Sequence, residues 1–198
     1  KAALPQPLAN RLIRLAAFQN PEFYKAQAMR LPVWDEPRVI GCAEDFPQHI
    51  ALPRGCLEAA LTLLRENGIR PDLHDERSVG TGLQVQFRGA LRPDQQQAVD
   101  AMLAHDTGVL CAPTAFGKTV TAAAQIAARG VNTLILVHRA ELLRQWRERL
   151  QTFLAATDGG GGSGPSIGAI GGGKSKPTGL IDIALMQSLC RQGEVNAL

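Results

Sequence analysis

The sequence predicts an α/β protein. A parallel sheet with flanking helices is expected over residues 91–198, preceded by a small ββαβ module and an N-terminal helical segment. Three observations lead there. From residue 91 onward, short apolar runs alternate with amphipathic helical stretches, the order that builds a parallel sheet through crossover helices. The stretch VLCAPTAFGKTV, residues 109–120, runs an apolar segment into a small-residue turn, then a lysine and a threonine opening a helix. Finally, apolar residues make up 45% of the 198, a proportion that supports a packed core and argues against disorder.

Residues 7–30 read as helix, with Leu8, Leu12 and Leu15 at helical spacing and a break at Asn20-Pro21. Pro32 and Pro37 then mark a linker, so the first segment is 1–36. The ββαβ module is expected over 37–90. RVIGCA and HIALP are short apolar runs around a turn-like EDFPQ. RGCLEAALTLLRENG is amphipathic, with Leu57, Leu61 and Leu64 on one stripe and Gly68 as its stop. GLQVQFRG alternates as a half-buried strand does.

The third segment, 91–198, opens with the helix LRPDQQQAVDAMLAH, with Pro93 in its first turn. GVLCA reads as a short buried strand, GKTVTAAAQIAARG as a helix ending at Gly130, and NTLILVH as another buried strand. AELLRQWRERLQTFL is a helix whose Leu142, Leu143, Trp146 and Leu150 share a face. TDGGGGSGPS, 157–166, is a low-complexity loop that fits a natural insertion and an engineered linker equally. IGAIGGGK and LIDIALMQSLC supply two further strands.

Net charge is +3, too small to name a partner. Residues 91–198 hold ten Lys/Arg against eight Asp/Glu, so any nucleic-acid contact rests on local clusters, not a global field. Cys42, Cys56, Cys111 and Cys190 form no C-x-x-C pair, which argues against zinc and a disulfide framework and for reduced thiols in the cytoplasm. No apolar run approaches a membrane span, and no signal peptide is visible. The chain begins at Lys1 and reads as an excerpt of something longer. The cluster DLHDER (Asp72, His74, Asp75, Glu76) has the residue types of a metal or nuclease centre, but its setting is that of a solvated turn.

Ala112, Gly117, Lys118 and Thr119 fit the phosphate-loop pattern, with alanine at its first position. A turn of small residues lets backbone N–H groups point at phosphate oxygens, and the following helix adds its positive end. Lys118 is then the group that reaches the β- and γ-phosphates, and the Thr119 hydroxyl the group that holds Mg²⁺.

LRPDQQQAV, APTAFGKTV, TLILVHRAELLRQW and IDIALMQSL, in that order, resemble the opening motifs of superfamily 2 helicases and translocases. The likeness is to the branch of the xeroderma pigmentosum type B helicase and the restriction-enzyme motor subunits. It covers 91–198, and a less specific likeness extends to the small domain that precedes the motor. The resemblance implies a partial RecA-like domain carrying a Walker A loop, with ATP and Mg²⁺ as cofactors. Gln95 matches the glutamine that reads adenine. The implied nucleotide site comprises Arg92, Gln95, Pro113, Thr114, Ala115, Phe116, Gly117, Lys118, Thr119 and Val120. Arg139, Gln187 and Ser188 match positions that touch the nucleic-acid backbone, DNA being favoured over RNA. Gly171 to Lys174 fall where this branch has a strand-to-loop turn.

Ala115 stands where glycine is usual, which is harmless at negative φ and strained at positive φ. Met186 stands where threonine is common. No Asp-Glu pair follows a buried strand, and the only acids after the loop are Glu141, Glu148, Asp158, Asp182 and Glu194. The chain therefore reads as the front part of a motor, lacking Walker B and the C-terminal motor domain. By family analogy the strands flanking GVLCA come later in the chain, so that segment is expected to lack neighbours. Two other functions remain open: a motor subunit of a restriction or phage-defence complex, and a non-catalytic binding module with a structural phosphate loop.

Overall fold

The fold was analysed in a computed structural model, which describes residues 4–157, 164–191 and 194–195. Residues 158–163, most of the glycine/serine loop, lie outside the described residues. The chain divides into two compact units, Lys1–Glu76 and Arg77–Leu198.

In the first unit, α1 (Gln6–Leu15) starts with Pro7 in its first turn, where a missing N–H is harmless. The expected break falls at Asn20. Its side chain accepts from the Glu22 N–H and caps α2 (Pro21–Ala28). Between the helices lies a short strand, β1 (Ala17–Gln19), antiparallel to β2 (Val39–Gly41). A small hairpin follows, β3 (Glu44–Asp45) against β4 (Ile50–Ala51), and then α3 (Leu57–Glu66). Leu8 and Leu12 of α1 pack on Leu63, joined by Ala60, Leu64 and Ile69. The buried stripe of α3 is thus rotated from the expected one, leaving Leu57 46% exposed.

The pairings do not close a ββαβ module on itself. RVIGCA pairs with 17–19 instead of HIALP. The last expected strand, β5 (Val85–Phe87), belongs to the second unit, where it pairs antiparallel with Leu154–Ala156. Apolar partners explain that choice, because Val85 and Phe87 pack beside Leu150, Leu154 and Phe153.

In the second unit α4 (Pro93–Leu103), α5 (Lys118–Arg129), β6 (Thr133–Val137) and α6 (Ala140–Phe153) follow as the periodicity predicts. Gly130 ends α5 in the left-handed conformation that lets a helix stop sharply. β7 (Leu154–Ala156) is the partner of β5. Then come β8 (Ile167–Gly171), β9 (Lys174–Lys176), β10 (Ile181–Leu185) and the single turn α7 (Met186–Leu189). Cys190–Arg191 pairs with Glu194–Val195 at the end.

One four-stranded sheet has the order β6-β10-β8-β9, with β6, β10 and β8 parallel and β9 antiparallel at the edge. Ile181 and Ile183 of the central strand, Ile167 and Val137 face Ala123 and Ile126 of α5 and Leu150 of α6. Leu142, Leu143 and Trp146 join the same core. The other face is only partly covered. Ile170, Ala184 and Leu189 cluster there, but Leu134 and Leu136 of β6 remain 43% and 52% exposed. A parallel sheet normally has both faces covered, so the expectation that NTLILVH is fully buried is corrected at the edge.

For GVLCA the buried-strand reading is corrected, while the expectation that it lacks neighbours holds. Residues 108–112 form no strand, and Val109 is 95% exposed. A strand is made by its neighbours, and among the described residues this segment has none. A cavity of about 530 Å³ opens beside it, lined by Met102, His105, Leu110 and Gln125 among others.

Candidate functional site

The phosphate-loop residues stand between this unpaired segment and α5. Gly117 takes φ 90°, a left-handed value that glycine adopts without steric cost, and no side chain caps the helix. The Lys118 and Thr119 N–H groups that open α5 meet no capping side chain, and no acid lies in this first turn, as an anion site needs. That donor set fits a phosphate group. Lys118 is exposed, and its Nζ donates to the Pro113 carbonyl at 2.8 Å, closing the loop on itself. Val120 is half-buried; its N–H and that of Thr121 donate to the Gly117 carbonyl. The Thr121 hydroxyl does the same from a fully buried side chain.

Ala115 has φ 64°, so the conditional reading resolves toward strain. A left-handed non-glycine residue costs roughly 1–2 kcal/mol. Ala115→Gly is expected to stabilise the chain by about 0.5–1 kcal/mol, after the extra freedom glycine has when unfolded is offset. Denaturant titration of the two proteins checks this, and a destabilised variant counts against strain at Ala115.

Helix α4 grips the loop from one side. Gln95 is buried, 4% exposed. Its Oε1 accepts from the Arg92 N–H at 3.0 Å, and its Nε2 donates to the Phe116 carbonyl at 2.7 Å. One Nε2 hydrogen and one Oε1 lone pair remain for any other partner. The Arg92 guanidinium donates to the same carbonyl at 2.8 Å, and its carbon lies 5.8 Å from the Phe116 ring centroid. Asp94 meets Arg92 with both oxygens, and that hydrogen bond lowers the Asp94 carboxyl from its usual range. A Cβ on Gly117 would come to 2.5 Å from Gln95 Nε2, so a larger residue would strain the left-handed backbone and push Gln95 off the Phe116 carbonyl. Pro113 and Thr114 are exposed, and Thr119 borders a cleft of about 520 Å³ with Gln145, Trp146 and Arg149 of α6. Asp94 and the Phe116 carbonyl were not legible as site groups. An acid two residues after an arginine was the only available signal.

The nucleic-acid candidates cluster separately, at the carboxyl ends of parallel strands, where α/β sheets commonly bind ligands. Arg139 is the N-cap position of α6 just beyond β6, and Gln187 and Ser188 follow β10 in α7. All three are exposed. Gln187 Nε2 donates to the His138 carbonyl at 3.1 Å, joining the two turns. The GGGK segment is the β8–β9 hairpin, with Gly172 and Gly173 both at positive φ.

Asp182 is 8% exposed and lies within β10. It accepts from the Thr178 N–H and hydroxyl and from the Gly179 N–H. It holds a turn, and its lone pairs face that turn. His74 lies 3.3 Å from Asp72 at exposed positions. Among the described residues no group of three His, Cys, Asp or Glu gathers as metal ligands would. Among them, too, no helix is long and apolar enough to cross a membrane.

A mixed α/β fold with a partly parallel sheet, and a Gly-Lys-Thr turn opening one of its helices, is consistent with a partial RecA-like domain of the superfamily 2 helicase class. Residues 88–195 match the family of the type III restriction enzyme res subunit, and the chain belongs to that family. Relatives include the putative DNA 3'-5' helicase Rad25 of Haloarcula marismortui, 39% identical over 88 residues, which is 43% of this chain and 14% of that protein. The DNA 3'-5' translocase XPB2 of Sulfurisphaera tokodaii is 32% identical over 105 residues, 53% of this chain and 22% of its own length. The DNA 3'-5' helicase XPB of Mycobacterium tuberculosis is 40% identical over 68 residues, 34% of this chain and 12% of that protein. The resemblance to the xeroderma pigmentosum type B branch is thereby borne out. The chain spans less than a quarter of the length of these relatives.

Proposed function

We propose that this chain is the nucleotide-binding front part of an ATP-dependent DNA helicase or translocase motor. The observation that carries the reading is the uncapped start of α5, where Gly117, Lys118 and Thr119 present backbone donors, an ammonium and a hydroxyl together. Lys118 leaves the Pro113 carbonyl to meet the β- and γ-phosphates, exchanging a neutral acceptor for charged ones. Residues 113–117 wrap the phosphates, and Val120 anchors the first turn of α5 beneath them. The Thr119 hydroxyl would hold Mg²⁺, which would supply charge neutralisation at the phosphates. Arg92 and Gln95 flank the loop on the side where a base would sit, and the remaining Gln95 hydrogen and lone pair suit an adenine edge. Arg139 and Ser188 offer a cation and a hydroxyl to the backbone of a DNA strand. In the whole motor, ATP binding and hydrolysis would alternately close and open two lobes on that strand.

A charged hydrogen bond contributes roughly 1.5–3 kcal/mol, so Lys118→Ala is expected to weaken ATP binding by about 10–150-fold. Calorimetric titration of a correctly folded variant measures it, and an unchanged affinity removes Lys118 from the site. A motor subunit of a restriction complex uses the same residues, and the family match favours keeping that second reading. ATP turnover by the whole protein separates either motor from a binding module whose loop is structural.

A further inference from the structure

The parallel ladder between β6 and β10 ends with Leu185 beside Val137. Beyond that pair the two chains part, one into α6 and the other into α7. Gln187 bridges the divergence, its Nε2 donating to the His138 carbonyl at 3.1 Å. The His138 C=O and the Arg139 N–H belong to one planar peptide unit. A donor that fixes the carbonyl therefore fixes the plane from which Arg139 departs. Arg139 is extended, φ −136° and ψ 141°, and has no side-chain cap of its own. Its guanidinium makes no hydrogen bond or ion pair among the described residues. Arg144, one turn along α6, is already matched by Glu141 at 2.7 Å. The unmatched cation at this end of the helix is thus the one whose backbone Gln187 holds.

We propose that Gln187 is a positioning residue: it sets the His138–Arg139 peptide, and so aims Arg139 at a nucleic-acid backbone, instead of contacting that backbone itself. The proposal rests on the nucleic-acid part of the functional reading. A neutral amide releases no counterions, whereas a guanidinium on a phosphate does. Loss of the brace should therefore be felt through Arg139.

The test is a double-mutant cycle on the 198-residue chain. Binding of a labelled single-stranded oligothymidylate is measured over a range of KCl. Gln187→Ala is expected to weaken binding by about 2–10-fold, the value of one exposed neutral hydrogen bond. The salt slope should fall toward that of Arg139→Ala, which loses about one unit. In the Arg139→Ala background, Gln187→Ala should change nothing further. Equal losses in both backgrounds would make Gln187 a direct ligand and overturn the proposal. Amide exchange gives a second readout that needs no DNA. Residues 138–143 should exchange faster in Gln187→Ala, and unchanged exchange there also overturns the brace. A parent chain that binds no oligonucleotide overturns the nucleic-acid reading, while the exchange result still decides whether Gln187 holds the turn.

Discussion

Mixed with ATP, magnesium and saturating DNA, the 198-residue chain is expected to turn over at close to the uncatalysed rate. Hydrolysis needs magnesium fixed from two sides, a positioned water and a charge stabiliser at the γ-phosphate. Lys118 and Thr119 supply part of the first requirement. The buried acid nearest in character to a catalytic one, Asp182, is committed to Thr178 and Gly179. An arginine finger alone accounts for about 10³–10⁵ in rate in phosphate-loop enzymes. A longer chain carrying an Asp-Glu pair and a second lobe should exceed this one by at least that order. The measurement is steady-state phosphate release from both. DNA-stimulated turnover by the 198 residues, lost in Lys118→Ala, would place the catalytic acid within this chain and refute the assignment.

Gly168→Ala should be among the most damaging single-methyl changes in the protein. Gly168 pairs with Asp182 across the β8–β10 ladder. A Cβ there would overlap Asp182 Oδ1 outright and lie 2.8 Å from the Lys176 carbonyl and the Thr178 nitrogen. Neither of the latter two atoms can yield as a flexible side-chain tip does. The carboxylate would have to leave its three donors in a buried place. Overpacking of this kind costs about 1–3 kcal/mol, and a displaced charged hydrogen bond adds roughly 1.5–3 kcal/mol. The expected loss is about 3 kcal/mol or more, a fall in melting midpoint on the order of 10 °C. Thermal unfolding followed by circular dichroism reads it directly. A shift within a degree or two would mean that Asp182 is held less firmly than its three hydrogen bonds imply.

What could be read from the sequence differs from element to element for physical reasons. Helices α4, α5 and α6 carry their own evidence in apolar spacing, a first-turn proline and a terminal glycine. Strands do not. GVLCA and TLILV look alike as apolar runs, yet only the second finds a ladder, because pairing is decided by distant segments. The partner of β5 is Leu154–Ala156, which has no alternation to announce it. The Gly-Lys-Thr turn was legible because its chemistry is local. The Ala115 question was legible as a condition, and only the backbone angle answers it. The grip of Gln95 on the Phe116 carbonyl was hidden, since the same carboxamide serves the end of its own helix and the loop. Gln187 was expected as a ligand by resemblance, and the bond it makes is to the chain itself.

The phosphate loop joins two parts of unequal attachment. Downstream, α5 contributes Ala123 and Ile126 to the main core; upstream, no residue of α4 or of 108–112 enters that core. The sheet with α5 and α6 therefore holds a core of its own to which the loop's upstream side adds nothing. The loop is held closed by Gln95 and Arg92 at the Phe116 carbonyl. Contacts of this kind, if they form after the rate-limiting barrier, slow opening without speeding folding. A nucleotide seated here would then act as a clasp on a finished structure: it would prolong the closed loop's lifetime and leave the chain's folding rate where it was.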